Sequence, residues 1–412
     1  MTAAPTQSLS EELRSLPRAY WVLTTGWFIN RFGTFVHPLL TILLTGAGHS
    51  ASRVAWVLCA NGLGSFASGL LGGYFSDRFG RRPALVIGTM GNAAAIVALY
   101  FAIVHTHSIV LIATLMFLAG FGGGFYMPAS NALLADVVPP PLRLRAYSMQ
   151  RLAINAGFAC GASMAAFLAT WAVFAGDALT TALFGVIALL YLPQGVRASR
   201  QEATWSEAWK VMRGDRAFWA LGGATVLTSF LFQQFNSTFS LEVVRRGLEL
   251  NILGRHFTSP QVFGLILGWN GLMVVLFELR LTRWTQRFSS KRVITIGYFL
   301  LGGGLAMNAL GGGVWALLGA MSLFTIGEML SQPMRSAYIA ELAPLAMRGR
   351  YMGALAVAST CATVFGPHVS LPLHAWSPKV LWLSCGALGL LAAVVLGVFG
   401  GDGQSVTKTE GE

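Results

Sequence analysis

The sequence predicts an all-α membrane protein with twelve transmembrane helices in two pseudo-symmetric six-helix bundles. Hydrophobic residues make up 55% of the 412 residues and charged residues only 11%, about half of the roughly 25% that is usual in soluble domains. The apolar residues fall into twelve runs, and the last six runs repeat the first six. So few charged residues could not cover the water-exposed surface of a soluble protein of this size. A bilayer is therefore the expected environment.

Each predicted span is close to the length of about 20 mostly apolar residues that a membrane helix needs. The first six spans are residues 19–45, 54–76, 83–104, 108–135, 146–171 and 177–193. The second six are residues 217–241, 260–282, 292–311, 314–341, 351–373 and 378–400. We therefore predict two halves, 1–193 and 217–412, joined by a polar cytoplasmic linker at 194–216.

The distribution of Lys and Arg predicts the orientation of the chain in the membrane. With both termini inside, 19 of the 28 basic residues fall in inner segments and five in outer loops. Basic residues concentrate on the cytoplasmic side of membrane proteins. This distribution accounts for the net charge of +12 without a nucleic-acid partner. The expected location is the plasma (inner) membrane, with many passes and both termini cytoplasmic.

An internal repeat relates the two halves. The segment from Pro128 aligns with the segment from Pro333 at a constant offset of 205 residues. Matching pairs include Asp136 with Glu341 and Arg143 with Arg348. After spans 2 and 8, Gly88 matches Gly297 at an offset of 209 residues. The repeats run in the same orientation, and such parallel repeats place a substrate path between the halves. The repeat therefore predicts a transporter.

The loop after span 2 carries a charged motif, GGYFSDRFGRRPAL. This loop resembles the signature of the major facilitator superfamily, which implies the major facilitator fold. The matching positions, with Asp136 at the end of span 4, form the predicted gating loop: Gly73, Asp77, Arg78, Gly80, Arg81, Arg82 and Asp136. Arg78 and Arg81 are expected to reach Asp136 and hold the inner side closed. Alternatively, the arginines only anchor the loop on the cytoplasmic side.

Two further segments are similar to the multidrug efflux branch of this superfamily. The start of span 1 reads NRFGTFVHPLL, which looks like the opening of multidrug-type exporters. In span 5, Gly157 and Gly161 match the antiporter signature, while Ala162 stands where that signature has proline. The resemblance implies proton-coupled efflux, and Ala162 is a departure from the pattern.

Glu328 is the only carboxylate that the sequence predicts near the middle of a span. On span 10, Glu328, Gln332 and Arg335 are spaced so that they share one helix face. An ionisable side chain at mid-membrane costs roughly 2.5–3.5 kcal/mol on insertion scales and usually has a function or a partner. We predict that Glu328 and Arg335 couple transport to protons, and a static ion pair is the alternative.

Other polar residues within the spans are predicted to line a substrate cavity. They are Asn30, Arg31, His37, Arg151, Asn155, Gln233, Gln234, Asn236, Asn270 and Gln332. For the amides, hydrogen bonding between helices is an alternative role. The intramembrane residues Arg31, Arg151 and Arg335, set against one deep carboxylate, would leave a positive cavity that favours an anionic or zwitterionic substrate.

The predicted function is secondary active transport, with proton antiport driving the efflux of small amphipathic molecules or drugs. The alternative is proton-coupled uptake or exchange of a small organic anion. We do not predict an enzyme, a metal site or a cofactor, because the seven histidines and four cysteines have no catalytic or metal-binding spacing. The expected partners are a small-molecule substrate, protons and membrane lipids, and the protein is expected to be a monomer.

Overall fold

The computed structural model describes residues 15–106, 108–139, 142–165, 167–195, 205–252, 254–285, 287–344 and 347–401. The first helices are α1 (Arg18–Gly33), α2 (Val36–Gly46), α3 (Ala51–Phe79), α4 (Arg81–His105), α5 (Ile109–Val137), α6 (Arg143–Ala165) and α7 (Thr170–Tyr191). The later helices are α8 (Trp205–Gly214), α9 (Arg216–Gln233), α10 (Thr238–Arg245), α11 (Ser259–Thr285), α12 (Ser290–Ala306), α13 (Val314–Leu342), α14 (Arg348–Trp376) and α15 (Pro378–Phe399). A short antiparallel hairpin joins α10 to α11 and consists of β1 (Leu250–Ile252) and β2 (Arg255–Phe257).

The predicted all-α membrane class is confirmed by the length and composition of the helices. Eight helical segments of the described chain are long and apolar enough to cross a membrane. They are Arg81–His105, Ile109–Val137, Thr170–Tyr191, Ser259–Thr285, Ser290–Leu310, Val314–Arg335, Arg350–Trp376 and Pro378–Phe399. The other four predicted spans coincide with α1–α2, α3, α6 and α9–α10.

The first predicted span of each half is interrupted. Helix α1 ends at Gly33 and α2 begins at Val36, while a single 3-10 turn, Gln234–Asn236, separates α9 from α10. The predicted spans, 19–45 and 217–241, are each a single segment, although polar residues such as Thr34 and Gln234 lie within them. Broken helices of this kind free backbone polar groups, which membrane proteins tolerate where the backbone is buried in protein or lines a cavity.

The internal repeat is also visible in the helix packing. Helices α5 and α13 are both 29 residues long and carry Pro128 and Pro333 at the same position within the helix. A Cβ atom on Gly88 would lie 2.8 Å from the carbonyl oxygen of Gly122, and one on Gly297 would lie 2.9 Å from that of Gly327. The pairs α4–α5 and α12–α13 therefore approach closely through equivalent glycines.

Contacts divide the chain into two compact units. The first comprises Met1–Phe35, Leu63–Gly161 and Leu168–Ser199, and its core contains Trp27, Leu133 and Phe184. The second comprises Val36–Gly62, Ala162–Phe167 and Arg200–Glu412. Segments from both halves of the sequence thus contribute to the second unit.

Within the second unit, α2 and the beginning of α3 pack against helices from the later half of the sequence. The Thr41 hydroxyl donates a hydrogen bond to the Asn236 carbonyl oxygen at 3.2 Å. The ring centres of Trp56 and His368 are 4.6 Å apart in an edge-on contact. These contacts join α2 to the break between α9 and α10, and α3 to α14.

Candidate functional site

The charged motif covers the last two turns of α3, the tight turn at Gly80 and the start of α4. Gly80 has a φ angle of +105°, in a region where glycine is tolerated far better than residues with a side chain. The backbone N–H of Arg81 donates to the Gln194 carbonyl oxygen at 2.9 Å. The guanidinium of Arg82 donates to the Leu192 carbonyl oxygen at 3.3 Å. The turn is therefore held against the segment that follows α7.

The structure brings two predicted gating residues together. Arg81 Nε lies 3.5 Å from a carboxylate oxygen of Asp136, and both side chains are largely shielded, at 12% and 20% exposed. Arg81 also donates to the Ser76 hydroxyl at 3.0 Å. Arg78 is exposed and lies against the ring of Phe79. Gly73 lies within α3, and the side chain of Asp77 lies outside the part of the chain that the structure describes.

Glu328 and Asn270 form one polar site between α13 and α11. The Asn270 amide nitrogen donates to the Glu328 carboxylate at 3.1 Å and to the Thr325 hydroxyl at 2.9 Å. Further along the same two helices, the Trp269 indole N–H donates to the Ser322 hydroxyl at 2.9 Å. The half-buried Glu328 carboxylate therefore has an amide partner on a second helix.

Arg335 lies two turns further along α13, close to a different group. The Tyr298 hydroxyl on α12 is buried and within electrostatic reach of Arg335, and Thr225 and Thr228 on α9 face the same hydroxyl. Gln332, between Glu328 and Arg335 in the sequence, is half-buried. The predicted coupling residues thus share one helix but have different neighbours.

The polar residues predicted to line the cavity in the first half make contacts of several kinds. The Asn30 amide nitrogen donates to the Thr181 hydroxyl at 2.8 Å, and Arg31 lies over the ring of Trp27 at 5.3 Å. Asn155 donates to the carbonyl oxygen of Arg151 on its own helix at 2.9 Å. His37 and Arg151 are half-buried on α2 and α6.

In the second half, the predicted amides cluster at the break between α9 and α10. Gln234 is fully buried, donates to the Phe230 carbonyl oxygen at 2.8 Å and accepts from the Thr238 hydroxyl at 2.6 Å. The Gln233 carbonyl oxygen accepts from the Ser237 hydroxyl at 2.9 Å. These contacts satisfy the ends of the two helices, and the Asn236 carbonyl oxygen takes part in the contact with α2.

Sequence reasoning missed a second buried carboxylate, Asp177. It is 3% exposed and is the eighth residue of α7 (Thr170–Tyr191), a helix apolar enough to cross a membrane. The prediction that Glu328 is the only carboxylate near the middle of a span therefore leaves Asp177 out. The predicted span began at residue 177 and so placed Asp177 at its edge, although the apolar residues from 171 to 176 were a signal for an earlier start.

Sequence reasoning also missed a charged network around Glu242 on α10. This carboxylate is completely buried and accepts hydrogen bonds from Arg245 at 3.0 and 2.6 Å and from Arg246 at 2.6 Å. His374 of α14 lies 2.8 Å from it, and Arg246 donates to the Asn308 carbonyl oxygen after α12. The network ties α10 to α14 and to the end of α12. Sequence reasoning counts Arg245 and Arg246 among the five basic residues of the outer loops.

These features define a multi-helix membrane protein with carboxylates placed inside its helical units, and comparison with known proteins assigns its family. The model of the Major Facilitator Superfamily matches residues 20–254 and 247–411. The chain belongs to the Major Facilitator Superfamily, and it is a transporter rather than an enzyme. Among the described residues, no three His, Cys, Asp or Glu side chains are grouped so that they could hold a metal ion.

The similar proteins are transporters of several kinds. A "Na(+), Li(+), K(+)/H(+) antiporter" from Planococcus maritimus is 28% identical over 376 residues, covering 85% of this chain and 88% of the relative. The "Multidrug resistance protein MdtH" of Escherichia coli O9:H4 (strain HS) is 24% identical, covering 88% and 89%. A POT family transporter in complex with 5-aminolevulinic acid has a similar fold, with a TM-score of 0.80 at 16% identity, covering 93% and 96%.

Proposed function

We propose that this transporter is a proton-coupled antiporter that exports small amphipathic molecules by alternating access. The observation that carries the proposal is the Glu328 carboxylate on α13, bonded to Asn270 on α11. When two helices move relative to each other, a carboxylate shared between them changes its surroundings, and its proton affinity changes with them. The names of the antiporter and multidrug relatives support the same class of transport.

We also propose how the chain is arranged in the membrane. The chain forms twelve spans, in which α1–α2 and α9–α10 are the interrupted first spans of two six-helix halves. The halves are residues 1–193 and 217–412, and residues 194–216 link them on the cytoplasmic side. The protein works as a monomer among the lipids of the plasma (inner) membrane, with both termini cytoplasmic. The repeated glycine contacts and the basic inner loops support this arrangement.

Contacts within the second unit support a state in which the outer side is closed. The end of α2 and the beginning of α3 lie on the predicted outer side. There, Trp56 of α3 contacts His368 of α14. Nearby, a Cβ atom on Gly62 would lie 2.8 Å from the Val364 side chain. Separation of these contacts is the step that alternating access requires on the outer side.

Proton release from the purified protein tests the proposed antiport. Na⁺, K⁺, the lipophilic cation tetraphenylphosphonium and the organic anion benzoate are added separately to wild type and to Glu328→Gln in weakly buffered detergent. We expect tetraphenylphosphonium to displace protons from wild type and not from the variant. Ser322→Ala is the matched control, because it removes a hydrogen bond between the same two helices without touching the carboxylate.

The same experiment separates antiport from the alternative function. Arg31, Arg151 and Arg335 lie within the predicted spans and favour proton-coupled uptake or exchange of a small organic anion. If only benzoate moves protons, and Glu328→Gln leaves that response intact, the antiport proposal is wrong and the anion transporter replaces it.

Loss of the Arg81–Asp136 ion pair is expected to impair transport more than stability. A partly shielded pair of this kind contributes on the order of 1 kcal/mol, which changes the ratio of two conformational states about fivefold. We therefore expect Asp136→Asn to lower the transport rate several-fold with little change in melting temperature. In Arg143→Gln, which removes a bond to the Val138 carbonyl oxygen at the same end of α5, the rate should stay near wild type. Equal losses in both variants would mean that the packing at this end of α5, and not the ion pair, matters.

A further inference from the structure

A buried polar cluster in the first unit has no part in the function proposed above. Its centre is Asp177 on α7, which is 3% exposed. Helix α1 packs closely against α7 at this level, since a Cβ atom on Gly33 would lie 2.7 Å from the Gly176 carbonyl oxygen. The fully buried Asn30 bonds Thr181 one turn beyond Asp177. The carboxyl group is therefore enclosed between helices.

Charged and titratable groups lie near Asp177 on three other helices. The charges of Arg31 on α1 and Asp177 both act on the buried hydroxyl of Tyr126 on α5, and the Asn30 side chain faces the same hydroxyl. On α4, which also packs against α7, Tyr100 lies against Phe174 at 5.6 Å, one turn before Asp177. The groups around Asp177 thus comprise one cation and one amide on α1 and one phenol on α5, with a second phenol one turn away on α4.

Two buried polar atoms of this cluster point to a group that changes its hydrogen bonding. In the part of the chain that the structure describes, Asn30 Oδ1 and Arg31 Nε are buried and have no hydrogen-bond partner. Such atoms require an explanation, because nearly all buried polar groups are bonded. An ionised carboxylate only accepts, and so matches the donor on Arg31, whereas a protonated carboxyl also donates, and so matches the acceptor on Asn30.

We propose that Asp177 is a second proton-carrying carboxylate of the transport cycle, with Arg31 as its counter-ion and Asn30 and Tyr126 as its hydrogen-bonding neighbours. The carboxylate takes a proton from water on one side of the membrane and returns it to water on the other, and Arg31 stays charged throughout. This inference rests on the proposed antiport, in which Glu328 is the other carrier. It places one proton site in each half of the sequence.

Infrared difference spectroscopy of the purified full-length protein tests this inference without a substrate. Spectra at acidic and neutral pH are compared for wild type, Asp177→Asn, Glu328→Gln and the double variant. We expect the carboxyl band of wild type to lose one component in each single variant and both components in the double variant. Thr181→Val, which breaks the bond to Asn30 and keeps the carboxyl group, should retain both components.

Arg31→Gln provides a second measurement in case Asp177→Asn does not fold. A nearby cation favours the ionised carboxylate, so removal of Arg31 should move the midpoint of the Asp177 component to higher pH, and Arg31→Lys should leave it closer to wild type. Identical titrations in wild type and Arg31→Gln, or an unchanged band in Asp177→Asn, would overturn the inference. Loss of the component in Asp177→Asn alone, with Glu328→Gln unchanged, would overturn the role of Glu328 and leave that of Asp177 standing.

Discussion

Glu242→Ala is expected to lower the apparent melting temperature of the protein strongly. The carboxylate is completely buried and is the acceptor for two guanidinium groups and an imidazole. Removal of one member of a buried ion pair typically costs about 3–5 kcal/mol, because the remaining charge is left without compensation. Here the remaining charge is mainly Arg246, whose side chain is 8% exposed. Scanning fluorimetry of the protein in detergent should show this loss as thermal unfolding at a lower temperature than in wild type.

Arg245 supplies the matched control for this prediction. It bonds the same carboxylate, but its side chain is 51% exposed, and exposed ion pairs contribute only about 0–1 kcal/mol. Arg245→Gln should therefore change the melting temperature little. Arg246→Gln should fall between the two, because it also breaks the bond to the Asn308 carbonyl oxygen. Similar losses in all three variants would contradict the view that burial of the charge determines the effect.

Most helices could be predicted from the sequence, because a bilayer imposes a simple requirement on it. Every backbone polar group in lipid must be bonded within the segment, so long apolar runs such as those of α4 and α15 form helices. The interruptions at Gly33 and Gln234 could not be predicted in this way. They occur where polar residues lie inside a predicted span, as in the segment QQFNST from Gln233, and side chains such as the Gln234 amide satisfy the freed backbone groups. A hydropathy pattern does not show which side chains will form hydrogen bonds with the freed backbone groups.

The candidate site was predictable where its residues belong to a local motif or, like Glu328, carry a charge inside a predicted span. Arg81 and Asp136 were identified together because each lies at the inner end of a predicted helix and the loop resembles a known signature. The Glu242–His374 contact joins residues 132 positions apart, and neither residue has a sequence neighbour that indicates the other. Asp177 was missed for a different reason, because its identification depended on where a predicted span begins.

Gly88→Ala and Gly297→Ala are each expected to reduce the yield of folded protein sharply. Each new methyl group would lie within 3 Å of backbone atoms on the facing helix, near Gly122 in one case and near Gly327 in the other. Overpacking of this kind typically costs about 1–3 kcal/mol, and the cost is at the upper end here because a helix backbone cannot rotate away as a side chain can. Alanine is the better helix former by about 1 kcal/mol, so a loss would report packing and not helix propensity.

Neighbouring glycines on the same helices make this prediction specific. A Cβ atom on Gly91 would meet nothing within 4 Å, and one on Gly303 would meet only a leucine methyl group at 3.7 Å. Gly91→Ala and Gly303→Ala should therefore match wild type in monodisperse yield and melting temperature. If Gly88→Ala behaves like Gly91→Ala, the close approach of α4 and α5 is not required. Parallel losses in Gly88→Ala and Gly297→Ala would instead mean that both halves depend on one repeated contact, which explains why these glycines align in the sequence.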